Sequence, residues 1–450
     1  MKKGLLAVLI LIMVQPIFGQ KLLTFDEAIR IGLQGNPLLN KQSNNLSISK
    51  SQLKSAYGDL LPNLGASASW GWQRIDDAGG TQVDFFGNVV PIPASQNDSR
   101  SYSLGLGGNW RLFDGLANWS NVSQKEKNLE SAELSLEKLK QDIVYRTSEL
   151  YYLVLNAEEM KKVREENVKF NQKFLETVEE RHRLGAVAMA DVYSQQVQAG
   201  NAELLLIEAE NNYEITKSNL LNYLGLDVLE EYSFANPYEI DEQINTEKYL
   251  KEFDEITVMV NQAFEKRSDY KSQKLMLESA EDGVTIANSG YYPSLSGNYS
   301  FSTGAISPGD LFNRKIYSAG LTLSLPIYSN WNTELAVQSA IVGVKNQEED
   351  LSALERNIKI EVKQGYLDLT AAKKSLDVAS KTVVSSGENR KINQERYNLG
   401  SGTILDVLQA DRDYTDALRN KINAEYNFYK SKDALKNSIG NLDYKKFELK

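Results

Sequence analysis

The sequence predicts an internally duplicated α+β membrane protein, in which long α-helical hairpins are joined to four β-strands per chain. Three observations carry that expectation. The stretch ERYNLGSGTILDVLQADRDY from Glu395 is echoed by ERHRLGAVAMADVYSQQVQA from Glu180, 215 residues earlier. Four segments alternate apolar with small polar residues. Two stretches of roughly 65 residues, from about Ser120 to Leu184 and from about Glu334 to Leu399, run without a proline.

The echo extends beyond the turn. At the same offset of 215, Tyr151 matches Tyr366, Phe113 matches Tyr328 and Leu112 matches Ile327. Upstream the offset becomes 231, pairing Leu-Pro-x-Leu at 61–64 with Tyr-Pro-x-Leu at 292–295 and Gly32 with Ala263. The 16-residue difference falls between those prolines and residues 111 and 326, and length changes of this kind collect in exposed loops. Each half therefore reads helix, strand, loop, strand, long helix, turn, helix. Residues 77–98 and about 304–314 are expected to be the variable, cell-surface loops.

In the first half, Leu64, Ala66, Ala68, Trp70 and Trp72 form one alternating series, and Tyr102, Leu104, Leu106 and Trp110 another. Leu295, Tyr299 and Phe301, then Tyr317, Ala319, Leu321, Leu323 and Leu325, repeat the pattern in the second. A soluble sandwich would show such alternation too. Here the intervening residues are Gly, Ser, Asn and Thr with almost no charge, and aromatics gather near strand ends, as at a membrane interface. Four strands cannot close a barrel, since about eight is the minimum, and an open edge in lipid is costly. Membrane strands here require several chains to share one barrel.

The proline-free stretches are expected to be helices of about 100 Å at 1.5 Å per residue. Leu129, Leu136, Ile143 and Leu150 recur every seven residues, with Arg146 interrupting the line. The second copy keeps Val344, Leu351, Leu354 and Ile358, then admits Gly365 and Asp368, which suits a wide, partly hydrated helical assembly.

At the repeated turn, Gly185 and Gly400 stand where a helix stops, at the position that accepts a left-handed backbone. Asp191 and Asp406 lie six residues later, where a carboxylate caps free N–H groups and suits the helix dipole. An αα-hairpin capped at both ends accounts for the motif structurally. In an oligomer, the same turns would gather acidic residues around one opening. Asp411 and Asp413 are expected on solvated helix surface.

Composition narrows the classes. The 450 residues suffice for two or three domains of about 150 residues. Two lysines, an apolar run from Leu5 to Val14 and small Gly19 mark residues 1–19 as a secretory signal peptide; a bilayer-crossing helix needs about 20 apolar residues. The absence of cysteine excludes disulfides, thiolate metal sites and cysteine nucleophiles. His182 is the single histidine, expected to be solvated near a helix end, so no metal site is expected. A net charge of -10 makes nucleic acid an unsuitable partner. No glycine-rich phosphate loop or nucleophile elbow is present, so neither a cofactor nor an enzymatic activity is expected.

The signal, the doubled layout, the Leu-Pro-x-Leu strand entry at Pro62 (Pro293 in the second half) and the RYNLGSGTILDVLQADRDY turn together resemble the TolC family of bacterial outer-membrane efflux proteins. The resemblance implies a homotrimer in the outer membrane: a twelve-stranded β-barrel in lipid and a periplasmic α-barrel, serving as passive exit duct for efflux or type I-like secretion. It implies a periplasmic adaptor and an inner-membrane pump of RND or ABC type as partners. The family's pattern places Tyr397 and Asp406 at a periplasmic constriction, with Asp191 on the first turn, and Leu184, Gly185, Leu399 and Gly400 against the adaptor. Gly402 and Gln409 depart from that pattern, where relatives carry an arginine and a second ring aspartate.

The implied segments are an N-terminal equatorial segment at 20–36, a repeat-1 helix at 37–60, strand pair 1 at 61–114 and α-barrel hairpin 1 at 115–223. An equatorial linker follows at 224–262, then a repeat-2 helix at 263–291, strand pair 2 at 292–329, hairpin 2 at 330–435 and a tail at 436–450. The competing reading is a periplasmic coiled-coil scaffold or adaptor, which would not need the four alternating strands.

Overall fold

The computed structural model describes residues 21–237, 253 and 255–447; the expected signal peptide and parts of the expected linker and tail lie outside them. The duplication is written into the element bounds. Helices α1 (Phe25–Gly35) and α2 (Pro37–Gly58) precede strands β2 (Gly65–Asp77) and β5 (Ser95–Phe113), then helices α3 (Ala117–Arg183) and α4 (Met189–Leu224). The second half repeats this as α5 (Ile256–Lys266), α6 (Ser268–Asn288), β7 (Ser294–Ala305), β8 (Lys315–Ser324), α7 (Asn332–Asn398) and α8 (Ile404–Ser438). Helices α3 and α7 are 67 residues each and begin 215 residues apart; α1 and α5 are 11 each and begin 231 apart.

The expected repeat-2 helix over 263–291 is not one helix. The chain breaks at Arg267, between α5 and α6, as it does at Asn36 between α1 and α2. Both breaking residues have extended backbone and are buried. Arg267 donates to Glu361 at 2.6 Å and to the Ser438 carbonyl at 3.1 Å, so the break is held by charge-assisted bonds. Helix α8 runs to Ser438, three residues past the expected end of hairpin 2.

The chain divides into two compact units. One comprises residues 44–134 and 269–354 and contains the sheet, with strand order β2-β5-β7-β8, all antiparallel. Register sorts its side chains cleanly. Ala68 pairs with Leu104, Trp70 with Tyr102, Leu106 with Phe301 and Phe301 with Tyr317, so one face is apolar. The opposite face pairs Ser69 with Ser103, Gly105 with Ser302 and Ser300 with Ser318. Trp70, Tyr317, Leu321 and Leu323 are all exposed on the apolar side. The outer edges of β2 and β8 pair with no strand among the described residues. The extra length of the first half forms a small hairpin, β3 (Gly80–Val83) with β4 (Val89–Ile92), between β2 and β5.

The other unit comprises the described residues within 21–43, 135–268 and 355–447. Here two short strands that the periodicity did not reveal, β1 (Lys21–Leu23) and β6 (Tyr232–Phe234), pair in parallel. The buried Tyr151 hydroxyl lies 2.8 Å from the Leu23 carbonyl and 2.7 Å from that of Ala235, binding α3 to this pair. Ile29, Leu33, Ile143, Val144 and Tyr444 close a core around α1. Gly365, which disturbs the heptad line, has a packing reason: a Cβ there would stand 3.3 Å from Leu435 Cδ1.

Candidate functional site: the paired helical turns

Both turns lie in the second of these units and are built alike. Helix α3 closes with Gly185 N–H on the His182 carbonyl and Ala186 N–H on that of Arg181; α7 closes with Gly400 on Tyr397 and Ser401 on Arg396. This is a Schellman closure, and it needs a left-handed residue. Gly185 has φ of 73° and Gly400 of 75°.

The returning helices start differently. At α8, Thr403 is the N-cap: its hydroxyl accepts from Asp406 N–H at 3.2 Å, and Asp406 accepts from Thr403 N–H at 3.0 Å. That is a complete capping box with Asp406 in its third position. The Thr403 N–H, and then its hydroxyl, hold the Asp406 carboxyl below the usual aspartate range. At α4 the N-cap is Ala188, with no side-chain bond, so the capping role expected of Asp191 is not realised. Gln409 is exposed and donates to Asp413 at 2.7 Å. Gly402 packs tightly, since a Cβ would sit 3.2 Å from both Arg396 Cβ and Tyr397 N. An arginine there would have to displace this backbone.

Behind the turns lies a core of Phe174, Val178, Val192, Tyr397, Ile404 and Val407. The Tyr397 ring belongs to it, at 3 % exposure, edge-on to Phe174 at 5.4 Å. Burial raises its phenol pKa, with Arg181 opposing. The expectation set this ring at a constriction; in the structure it braces the two turns from inside. Leu184 and Leu399, by contrast, point outward at 72 % and 84 % exposure.

Further along the helices is a buried polar layer that sequence reasoning missed. Asp411, expected on solvated surface, is 5 % exposed. Its Oδ2 accepts from Asn167 at 3.0 Å and Asn171 at 3.3 Å, and its Oδ1 from Arg390 at 3.1 Å. Asn167 also donates to Thr415, and Gln195 to Asn171. The Arg390 guanidinium stacks on Tyr414 and Phe170, at 4.2 and 4.6 Å. Burial raises the Asp411 pKa, against Arg390 and the two amides. The available signal was the matching spacing of Asn167/Asn171 on α3 and Asp411/Thr415 on α8, each pair four apart and so on one face.

Among the described residues, no group of three or more His, Asp or Glu side chains is placed to hold a metal, and no helix is long and apolar enough to cross a membrane. A two-faced sheet with open edges, on a chain that also carries two long helical hairpins closed by glycine, defines a class of bacterial outer-membrane proteins. The chain belongs to one family of that class, described as outer membrane efflux protein, whose pattern matches residues 28–226 and 259–441. It is an outer-membrane protein extending into the periplasm. The outer membrane protein TolC of Vibrio cholerae is 24 % identical over 413 residues, covering 86 % of this chain and 84 % of that protein. TolC of Escherichia coli is 22 % identical, over 91 % of this chain and 80 % of its own. Among solved structures, the outer-membrane channel OprN superposes with a TM-score of 0.78 at 16 % identity, covering 93 % of this chain and 90 % of its own. The Campylobacter jejuni CmeC outer membrane channel reaches 0.78 at 19 % identity, covering 94 % and 88 %.

Proposed function

We propose that this chain is the outer-membrane duct of an efflux or secretion system, passive in itself, through which solute leaves the periplasm. The observation that carries this is the sheet: four strands, apolar on one face and Ser/Gly-rich on the other, with both edges unpaired. Closure in lipid then requires more chains, and three copies give twelve strands, a permitted barrel size. The hairpins of three copies would enclose the periplasmic continuation. Energy and cargo choice belong to an inner-membrane pump, coupled through a periplasmic adaptor that grips Leu184–Gly185 and Leu399–Gly400. Their outward-facing leucines support that placement. No catalytic step and no cofactor is assigned. Relatives with export names, among them the pyoverdine export protein OpmQ of Pseudomonas aeruginosa, support an export role without fixing the cargo.

The test is mass and conductance. Detergent-solubilised protein should have the mass of three chains and form channels in planar bilayers. A stable, non-conducting monomer in detergent-free buffer would sink the reading.

A further inference from the structure

The loop between β2 and β5 is built, not slack. Asp77 at the end of β2 accepts from Gly79 N–H at 2.9 Å, and Gly79 turns the chain with φ of 70°. Strands β3 and β4 pair from Gly80↔Ile92 to Val83↔Val89. At the tip, Asp84 Oδ1 accepts from the N–H groups of Phe86 at 2.9 Å and Asn88 at 2.8 Å, and Oδ2 from the Asn88 amide at 3.2 Å. This turn holds Phe85 and Phe86 edge to face, their centroids 5.8 Å apart, at 98 % and 85 % exposure. Val83, Val89, Val90 and Ile92 are exposed beside them, and Asp84 is the one charged residue between positions 78 and 94. A fixed, contiguous apolar surface of this kind marks a contact site.

We propose that this hairpin is a clasp between copies of the chain: its Phe85–Phe86 tip docks on the β7–β8 loop of the neighbouring copy, against that copy's Ile306 and Phe312. The proposal rests on the shared-barrel reading above. Strand β2 is the edge strand, and only Ala78 and Gly79 separate it from β3, so the hairpin stands at the junction between copies. Directions alternate across β2-β5-β7-β8, so β8 of one copy meets β2 of the next antiparallel. That pairing brings the end of β2 beside the start of the neighbour's β8. The two loops are then side by side.

Two features of the receiving loop fit. Ile306 is 80 % and Phe312 55 % exposed, which gives this loop an apolar surface of its own. The charges are also complementary. Asp77 at the end of β2 and Asp84 at the hairpin tip form no ion pair among the described residues, whereas Asp76 is held by Arg74 at 3.2 Å; Arg314 and Lys315, at the start of β8, likewise form none. The same carboxylates oppose the alternative occupant, an anionic lipid surface, by like-charge repulsion.

The chain has no cysteine, so engineered pairs report without background. The full-length protein carrying Phe86→Cys and Phe312→Cys should give disulfide-linked dimers and trimers after mild oxidation, and either single variant should give no ladder. F85S/F86S should lower the temperature at which the oligomer dissociates in SDS. An oligomer of normal mass with neither cross-link nor shift overturns the clasp and leaves the shared barrel intact. Quenching of a fluorophore at Phe86→Cys by brominated lipid also overturns it, in favour of insertion into the membrane. Absence of any oligomer in the unmodified protein would instead remove the shared-barrel reading beneath it.

Discussion

Arg181, in the last turn of α3, donates to the backbone carbonyl of Tyr397 at 2.6 Å and lies 4.6 Å from the centroid of the same tyrosine ring. One guanidinium thus clamps the end of α7 in two ways, and it ties the first-half turn to the second. A hydrogen bond from a charged donor contributes about 1.5–3 kcal/mol and an exposed cation–π contact about 0.5–1. Arg181→Ala should cost about 2 kcal/mol and speed amide exchange at Leu399–Ser401. Arg181→Lys should recover part of it, lacking the flat stacking surface. Equal exchange at those amides in all three proteins would remove the clamp.

Tyr397→Phe tests whether that ring faces a passage. The hydroxyl is buried and has no hydrogen-bond partner among the described residues, so its removal relieves an uncompensated desolvation cost and should leave stability equal or raise it by about 1 kcal/mol, with conductance unaltered. A change in single-channel conductance at unchanged stability would return Tyr397 to the lumen.

The glycines of the turn separate two kinds of strain. A Cβ at Gly185 or Gly400 meets nothing within 4 Å, but both residues have positive φ. Gly185→Ala and Gly400→Ala should each cost about 1–2 kcal/mol from backbone strain alone. Gly402 has no such φ, so Gly402→Ala should be felt through crowding of Arg396 and Tyr397, with a local shift visible in amide chemical shifts. Thermal midpoints of the three single variants check the order.

The fold was legible wherever a period or a repeat carried it. Alternation at Trp70–Trp72 and Tyr317–Leu325 gave the sheet faces, and the two proline-free stretches gave both long helices to within a few residues. Elements of three residues carry no period, so β1 and β6 stayed hidden; their pairing depends on Tyr151, which is distant in sequence. The break at Arg267 was hidden because arginine has no local tendency to end a helix, and its partners Glu361 and Ser438 lie far away in sequence. Glycine at the turn was readable because φ is a local property. The placement of Asp411 was not, because burial of a carboxylate depends on what α3 and α7 bring to it.

That carboxylate predicts a pH dependence. Burial lifts the Asp411 pKa above the ordinary 3.8, so across a window beginning there the folded state keeps a proton that the unfolded chain has released. Stability from this group therefore falls as pH rises through the window. Asp411→Asn removes the titration and keeps an acceptor for Asn167 and Asn171, while Arg390 keeps its aromatic stacking. The stability difference between variant and parent should drift in favour of the variant as pH rises past that range. Parallel stability curves from pH 3 to pH 7 would show that Asp411 does not titrate differently on folding.

Asp406 should behave in the opposite sense, and its channel effect is separable from its capping effect. The Thr403 bonds depress its pKa below 3.8, so its contribution is present above that value and lost as pH falls through the folded pKa. Asparagine lacks the charge that the helix start favours, so Asp406→Asn should lower the thermal midpoint at pH 7, with the difference vanishing in strong acid. In a trimer the same change also removes one negative charge per copy from the turn ring, and charges confined in a narrow, low-dielectric neck act strongly on passing ions. Cation selectivity and block by multivalent cations should then weaken at unchanged oligomer mass, as read in planar bilayers. Asp191 makes no cap bond but stands in the first turn of α4, so Asp191→Asn should weaken selectivity with a smaller loss of thermal midpoint at pH 7 than Asp406→Asn. If both variants conduct like the parent, Asp406 is a capping residue alone, Asp191 has no part in conduction, and the constriction lies elsewhere in the duct.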